Sequence, residues 1–404
     1  MKTWNGRLPV LVVGGGMISQ EVILPTLFQE QKKGRVGMVS VATRRSSTIE
    51  QIAKAFPKNS FRGYPRPGRG GAEAEDAECY KKAIADLEKH GLVIVATPDH
   101  LHTPVILECI KAGRHVVCQK PLCLKVNEAY QIMDAARAAG VYVLTDYHKR
   151  HDRAVRAVRH RYRKGDMGEM IFGHAWIEER REMPLKWFAR WCDKSSSFEY
   201  IGVHYADAYY YVTGLKPKRV IAFAQKKLLP TLGKNAYDAV QAVIEWENGS
   251  AFWIQTSWVC SEHQTALTNQ GMQLSGTEGE YFGDHKNRNL YFCTQKGGFE
   301  HYNPNFFKEY GDWDSDGEVQ YQGYGYDSIV QGLDDIRNIT AATLGLPKAA
   351  ALKKRQEMIR KLEPHRALPS QALIGTAINE AVRISMENGS RYVVFDGKMR
   401  PRLA

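Results

Sequence analysis

Leu8-Pro9-Val10-Leu11-Val12-Val13-Gly14-Gly15-Gly16-Met17-Ile18-Ser19 decides the fold. Its first six residues are a short apolar run of the kind buried on both faces of a parallel sheet. Three glycines end the run, and residues 20–29 then place Val22, Leu24, Leu27 and Phe28 on the buried side of a helix. Strand, tight turn and helix in that order suit a dinucleotide pyrophosphate. Gly14 permits the turn and Gly16 lets main chain approach the phosphates, while the N–H groups and positive end of the helix favour the negative charge. Met17 and Ile18 of the turn are counted with Gly14 and Gly16 as cofactor-binding. Position six of the G-x-G-x-x-G pattern is Ser19, so helix and strand are expected slightly farther apart. Val36–Ala42 supplies a second strand about 25 residues after the turn, where a βαβ dinucleotide unit requires one.

At the end of that second strand stands Thr43-Arg44-Arg45-Ser46-Ser47, where an NAD-preferring protein usually carries an acidic residue for the adenosine ribose. A guanidinium pairs bidentately with a 2′-phosphate, and nearby hydroxyls can donate to it. Thr43, Arg44 and Arg45 therefore lean towards NADP(H) over NAD(H). The other reading is Arg44 stacked on adenine and Arg45 solvated, which leaves NAD usable.

Strand and helix continue to alternate, as a doubly wound parallel sheet demands. Leu92-Val93-Ile94-Val95-Ala96 is a buried-strand run, followed by Thr97-Pro98-Asp99-His100-Leu101-His102 and a helix over 104–113. His115-Val116-Val117-Cys118 leads to Gln119-Lys120-Pro121, then comes a helix over Val126–Ala139, and a last strand over 141–144. Beyond residue 150 the pattern changes to hairpin-like strands, such as 239–247 and 250–258 joined by Asn248-Gly249.

With 404 residues the chain exceeds one ordinary core, which predicts two domains. Hydrophobic residues at 43% and charged residues at 25% exclude a mainly disordered chain. The apolar runs are far short of the ~20 residues of a membrane span. The N-terminal Met1-Lys2-Thr3-Trp4-Asn5-Gly6 lacks a secretory pattern, so a soluble cytoplasmic protein is expected. Seven scattered cysteines without a C-x-x-C pair read as reduced thiols, and no metal site is expected. The net charge of +12 is spread along the chain without a nucleic-acid motif, which argues against nucleic acid as a partner. It is read either as a solvated basic face or as a preference for an anionic small substrate.

The glycine turn, Ala96-Thr97-Pro98-x-His100-x-His102, Gln119-Lys120-Pro121 and Gly202-Val203-His204-Tyr205-Ala206-Asp207 stand in one order along the chain. In these elements the sequence resembles the Gfo/Idh/MocA family, named for glucose–fructose oxidoreductase, inositol dehydrogenase and a rhizopine-catabolism protein. Gly276-Thr277-Glu278-Gly279 looks like that family's G-T-x-G element and 369–385 like its late helix. The resemblance implies a Rossmann-type dinucleotide-binding domain over 1–146. It also implies an α/β domain over 147–404 with a large, mostly antiparallel open-faced sheet for substrate binding and oligomerisation. The late helix would be able to pack back on the first domain, and the assembly would be a homodimer or homotetramer.

The resemblance further assigns Lys120 to catalysis, with Gln119 in place of the family's glutamate. Independently, Lys120 follows a buried strand at the carboxyl edge of the sheet, where open α/β folds bind ligands. It is placed at the junction between cofactor and substrate. A partly desolvated ammonium there can share a proton with a substrate oxygen as hydride moves. Thr97, Pro98, His100, His102 and Gln119 are expected beside the cofactor. His204 is the second proton-handling candidate, because a neutral imidazole is matched to taking a hydroxyl proton near pH 7. Family members commonly have an aspartate four residues earlier; here it is Tyr200, able to bind a substrate hydroxyl or to act with Lys120. His148, Arg150, Trp187 and Arg190 are further substrate-contact candidates.

These residues point to an NAD(P)-dependent oxidoreductase acting on CH–OH groups of a carbohydrate, cyclitol or related polyol. An NAD-assisted lyase or glycosidase using transient oxidation is the alternative within enzymes. A cofactor-sensing regulatory protein without catalysis is the alternative outside them. The segments 62–78 and 303–326 read as long loops.

Overall fold

The computed structural model describes residues 6–66, 68, 72–311 and 319–404. Residues 1–5 and parts of the two long loops, at 67, 69–71 and 312–318, lie outside the described residues. The chain sorts into two compact units. The first comprises Met1–Leu122, Glu128–Asp146 and Phe307–Gln371, and the second Cys123–Asn127, Tyr147–Phe306 and Ala372–Ala404.

In the first unit, six strands form a sheet whose pairings are all parallel: β1 (Leu8–Val13), β2 (Val36–Ala42), β3 (Arg62–Tyr64), β4 (Leu92–Val95), β5 (His115–Gln119) and β6 (Val143–Asp146). Their order is β3-β2-β1-β4-β5-β6, so the winding reverses between β1 and β4. The carboxyl ends at such a reversal are where a doubly wound sheet takes its ligand. Every residue of β1, β4 and β5 is buried, which is why these strands read as continuous apolar runs. Helices α1 (Leu24–Lys32), α2 (Ser46–Ala55), α3 (Cys79–Asp86), α4 (His102–Lys111) and α5 (Val126–Ala139) alternate with the strands.

Phe307–Gln371, counted with the second domain on sequence alone, clusters with the first unit. The reason is apolar packing. The helix Tyr324–Thr343 buries Ile329, Leu333, Ile336 and Ile339. Its Gly332 lies so close to the sheet that a Cβ there would sit 2.7 Å from Val117 and 3.3 Å from Leu144. The late helix is Pro369–Glu387, and from Ala372 onwards it belongs to the second unit.

The second unit is built on an eight-stranded sheet. Its strands are β7 (Met170–Arg180), β8 (Pro217–Gln225), β9 (Ala239–Trp246), β10 (Ala251–Cys260), β11 (Thr268–Gly276) and β12 (Glu280–Asp284), with Val393–Phe395 and Pro401–Leu403 added at the β8 edge. Only β7 and β10 pair in parallel. The Asn248-Gly249 turn forms as its sequence demands: Gly249 has φ +86°, and Asn248 Oδ1 accepts from the Ser250 N–H at 3.0 Å. Strict alternation in β9 and β10 buries Val240, Ala242, Ile244, Trp246, Phe252, Ile254 and Trp258 on one face. Helix α6 (Arg153–Arg163) precedes β7. Helix α7 (Val203–Thr213) follows a π-helical turn at Phe198–Gly202 and covers that face, with Tyr209 stacked on Trp246 and Phe252 at 4.6 Å each. The other face exposes Phe172, Phe223, Trp253 and Phe282. Among the described residues, no helix is long and apolar enough to cross a membrane.

Candidate active site

The glycine turn in the first unit is shaped by close approach on one side and open space on the other. Gly14 has φ +112°, and a Cβ there would collide with the Ala96 carbonyl oxygen at 2.2 Å. A Cβ on Gly15 would meet Thr43 at 2.6 Å, whereas one on Gly16 would meet nothing within 4 Å. Helical backbone begins at Met17. Ser19, in the third glycine's place, is buried and donates its hydroxyl to the Gly14 carbonyl at 2.8 Å, and Gln20 Nε2 donates to the Gly15 carbonyl at 2.8 Å. Ser19 thus ties the helix back onto the turn. Beside it, the buried Thr97 hydroxyl oxygen has no hydrogen-bond partner within the protein. Open space over Gly16, a helix start and an unsatisfied hydroxyl are what a dinucleotide's pyrophosphate and ribose would engage, so these residues fit the cofactor.

Pro98 and His100 are partly exposed beside Thr97, but His102 is fully buried. Its ring lies between two main-chain carbonyls, with Nδ1 2.7 Å from that of Pro121 and Nε2 2.9 Å from that of Thr97. Burial holds the imidazole below the usual histidine range. His102 thereby braces the segment after β4 against the segment that carries Lys120.

Lys120 is buried, only 8% exposed, one residue beyond β5. The preceding Gln119 pairs in register with Asp146 on β6, and its side-chain amide donates to Asp146 Oδ2 at 2.7 Å. Burial pushes the Asp146 carboxyl up to about 6, against the opposing pull of Ser328, Gln119 and the Lys120 charge. Asp146 was missed on sequence because the last strand was read as ending at Leu144; it runs to Asp146. A carboxylate two residues beyond a buried run, on the strand next to Lys120, was the available signal.

At the end of β2, Arg44 and Arg45 both pair with Glu75, a residue sequence reading did not single out. Thr43 donates its hydroxyl to the Arg45 carbonyl at 2.8 Å.

In the second unit, His204 lies in the first turn of α7 and is buried. His148, in the turn His148–His151, is brought against it, with ring centroids 4.5 Å apart, and packs also on Phe306 at 5.2 Å. Tyr200 sits in the π turn, half-buried among Phe188 at 4.5 Å, Trp191 at 5.5 Å and Trp258 at 6.3 Å. That turn takes one residue more than an α turn, so Tyr200 and His204, four residues apart, do not share a face as they would in a regular α-helix. Glu199 is held by Arg383, which donates from Nε and Nη2 at 2.7 Å each.

Arg150 is buried and donates to both oxygens of Asp207, at 2.8 and 2.6 Å. Expected as a substrate contact, it is instead committed to fastening its turn to α7. Trp187 and Arg190 are exposed on the connection between β7 and the π turn. Among the described residues, no group of histidine, cysteine or carboxylate side chains could hold a metal ion.

The family model described as "Oxidoreductase family, NAD-binding Rossmann fold" matches residues 8–147, and that described as "GFO/IDH/MocA C-terminal domain" matches 155–282. The chain belongs to the Gfo/Idh/MocA family. Its similarity to individual members is moderate. The 1,5-anhydro-D-fructose reductase of Ensifer adhaerens is 28% identical over 204 residues, 47% of this chain and 56% of that protein, so the match spans little more than half of the reductase. The D-glucoside 3-dehydrogenase of Escherichia coli is 26% identical over 280 residues, 66% of this chain and 74% of that protein. The fold matches that of the scyllo-inositol dehydrogenase of Lactobacillus casei, solved with NAD(H) and scyllo-inositol, with a TM-score of 0.65 at 13% identity. That match covers 96% of this chain and 99% of the other.

Proposed function

We propose that this Gfo/Idh/MocA chain is an NAD(P)-dependent dehydrogenase or reductase acting on a CH–OH group of a carbohydrate, cyclitol or related polyol derivative. The observation that carries the reading is the buried Lys120 at the carboxyl end of β5, in a sheet whose glycine turn leaves open space over Gly16. When bound, the nicotinamide supplies the acceptor or donor of hydride. The chain's own residues do the rest. Gly14, Gly16, Met17, Ile18, Thr97 and Pro98 hold the dinucleotide, and Gln119 with Asp146 keeps a negative charge near the Lys120 ammonium. Lys120 shares a proton with the substrate oxygen. His204 takes the hydroxyl proton, with His148 packed on its ring. The exposed aromatic face of the sheet supports a homo-oligomer, since an apolar patch of that kind marks an association surface.

A second reading rests on Tyr200. A family aspartate could orient His204 and raise its basicity for a simple alcohol oxidation, whereas a neutral phenol only donates or accepts a hydrogen bond. That weakens this route relative to a cycle in which oxidation is transient and a group is eliminated before re-reduction. One experiment separates the two: sugars, inositols and sugar acids are screened with both cofactors, following both the absorbance of reduced nicotinamide and the products. Accumulation of reduced cofactor in step with product is the expected result. Product formed without net reduction would replace the dehydrogenase by the lyase or glycosidase.

A further inference from the structure

The corner after β2 was read from sequence as a cradle for a 2′-phosphate, because two guanidiniums and several hydroxyls cluster there. In the structure both guanidiniums and the Ser46 and Ser47 hydroxyls already have partners in the acidic segment 72–78, and the Thr43 hydroxyl is turned to the Arg45 carbonyl. Main chain fastens the segment in place. Arg45 and Glu75 form an antiparallel bridge, the Ser46 N–H donates to the Ala74 carbonyl at 2.9 Å, and the Asp76 N–H donates to the Arg44 carbonyl at 2.8 Å. The Ser46 hydroxyl accepts from the Ala74 N–H at 2.9 Å. Cys79, just past the segment, donates its thiol to the Thr43 carbonyl at 3.0 Å.

On this scaffold the side chains pair by charge. Arg44 Nη2 lies 2.5 Å from one Glu75 oxygen and Arg45 Nε 3.3 Å from the other, while the Ser47 hydroxyl donates to Glu73 at 2.6 Å. Arg44 holds the Glu75 carboxyl below the usual glutamate range, so it is ionised at neutral pH. A carboxylate therefore sits between the two arginines where a phosphate would have to sit. A 2′-phosphate carries about −1.5 to −2 charges at neutral pH. It would meet Glu75 and Glu73 as like charges and compete with Glu75 for the guanidiniums of Arg44 and Arg45. Ribose hydroxyls have the opposite character. They donate, and carboxylates accept.

Building on the reading of the first unit as a dinucleotide site, we propose that Glu75, with Glu73 beside it, fills the anion seat of Arg44 and Arg45. It thereby makes the chain select the dinucleotide whose adenosine ribose lacks the 2′-phosphate. The acidic residue that an NAD-preferring sheet usually carries at the end of β2 is here delivered from 30 residues away.

Dissociation constants for NAD+ and NADP+, measured by calorimetry on the full chain and on Glu75→Gln, test this without any substrate. The wild type should bind NAD+ about tenfold or more tightly than NADP+, and Glu75→Gln should tighten NADP+ about tenfold while changing NAD+ by less than about threefold. Adding Arg44→Ala to Glu75→Gln should abolish the gain for NADP+. ADP and 2′-phospho-AMP, used as probes of the adenosine end alone, should repeat the pattern. Tighter NADP+ binding by the wild type, or an unchanged preference in Glu75→Gln, would overturn the assignment. Failure of the wild type to bind either dinucleotide would instead sink the dinucleotide reading, and this proposal with it. Glu75 is 43% exposed, so the variants should fold, and matched circular dichroism spectra check that.

Discussion

Two carboxylates of the first unit, both close to cations at the carboxyl edge of the same sheet, are pushed in opposite directions. Asp146, the last residue of β6, is buried beside Gln119, and its carboxyl rises to about 6 because lost hydration outweighs the Lys120 charge. Glu75 stands in solvent, and Arg44 and Arg45 hold its carboxyl below the usual range. Burial decides the sign: in water a neighbouring cation is enough to favour the charged form, whereas inside the protein it must first repay desolvation. Charge at the buried cluster is therefore scarce and tied to chemistry, while charge at the exposed corner is easily formed and suited to discriminating between ligands.

The comparison breaks most decisively at Lys120. Lys120→Met keeps the length of the side chain and removes the ammonium, so kcat should fall by about a thousandfold, within the range for loss of a positioned acid or base. Binding of the dinucleotide should change by less than about threefold over the same substitution. Titration of cofactor alongside single-turnover kinetics reads both quantities. A variant with full turnover would remove Lys120 from the chemistry and leave the buried cluster a structural one.

A smaller effect is expected one strand away. Because the Asp146 pKa is raised on folding, the native state binds a proton that the unfolded chain gives up between the ordinary aspartate value and about 6, and stability falls as pH rises through that window. Asparagine carries no such penalty. Asp146→Asn should accordingly gain on the wild type by up to about 3 kcal/mol between about pH 4 and pH 7, read as a difference in melting temperature that widens with pH. The same substitution removes a negative charge that favours protonated Lys120, so the pH profile of kcat/KM should move to lower pH. A profile that stays in place while the melting difference appears would confine Asp146 to stability.

How much of this was legible from sequence follows from how local each signal is. The glycine turn, the buried runs of β1 and β4 and the Asn248-Gly249 hairpin were readable because the residues that make them are neighbours in the chain. Helix α5 was placed at Val126–Ala139, and the structure has it there. Lys120 could be singled out because it directly follows its strand. Register across strands has no local signature, and so the pairing of Gln119 with Asp146 was invisible. The π turn at Phe198–Gly202 escaped for a related reason: one extra residue in a turn leaves the apolar pattern intact but shifts which side chains share a face. Arg150 and His102 were assigned to ligands from their place in the family pattern, while their partners, Asp207 and two main-chain carbonyls, are fixed only by the fold. Helix Tyr324–Thr343 joined the first unit through Gly332, whose missing side chain matters only once Val117 is known to face it.

The exposed corner supplies the smallest expected effect, and its smallness is the point. Glu75→Ala deletes a carboxylate that pairs with two arginines, an arrangement that on a count of ion pairs should support the fold. In solvent those pairs exchange with water and salt, and side-chain ordering offsets most of what attraction they provide. The main-chain bonds of segment 72–78 to Arg44 and Ser46 do not involve the deleted group and should persist. The melting temperature of Glu75→Ala should therefore match that of the wild type across the pH range in which Asp146→Asn diverges from it, while its preference between NAD+ and NADP+ shifts. A marked loss of stability would mean that Glu75 anchors the segment as well as filling the anion seat. The change in cofactor preference would then have to be read from Glu75→Gln, which retains a side chain able to accept from Arg44 without its charge.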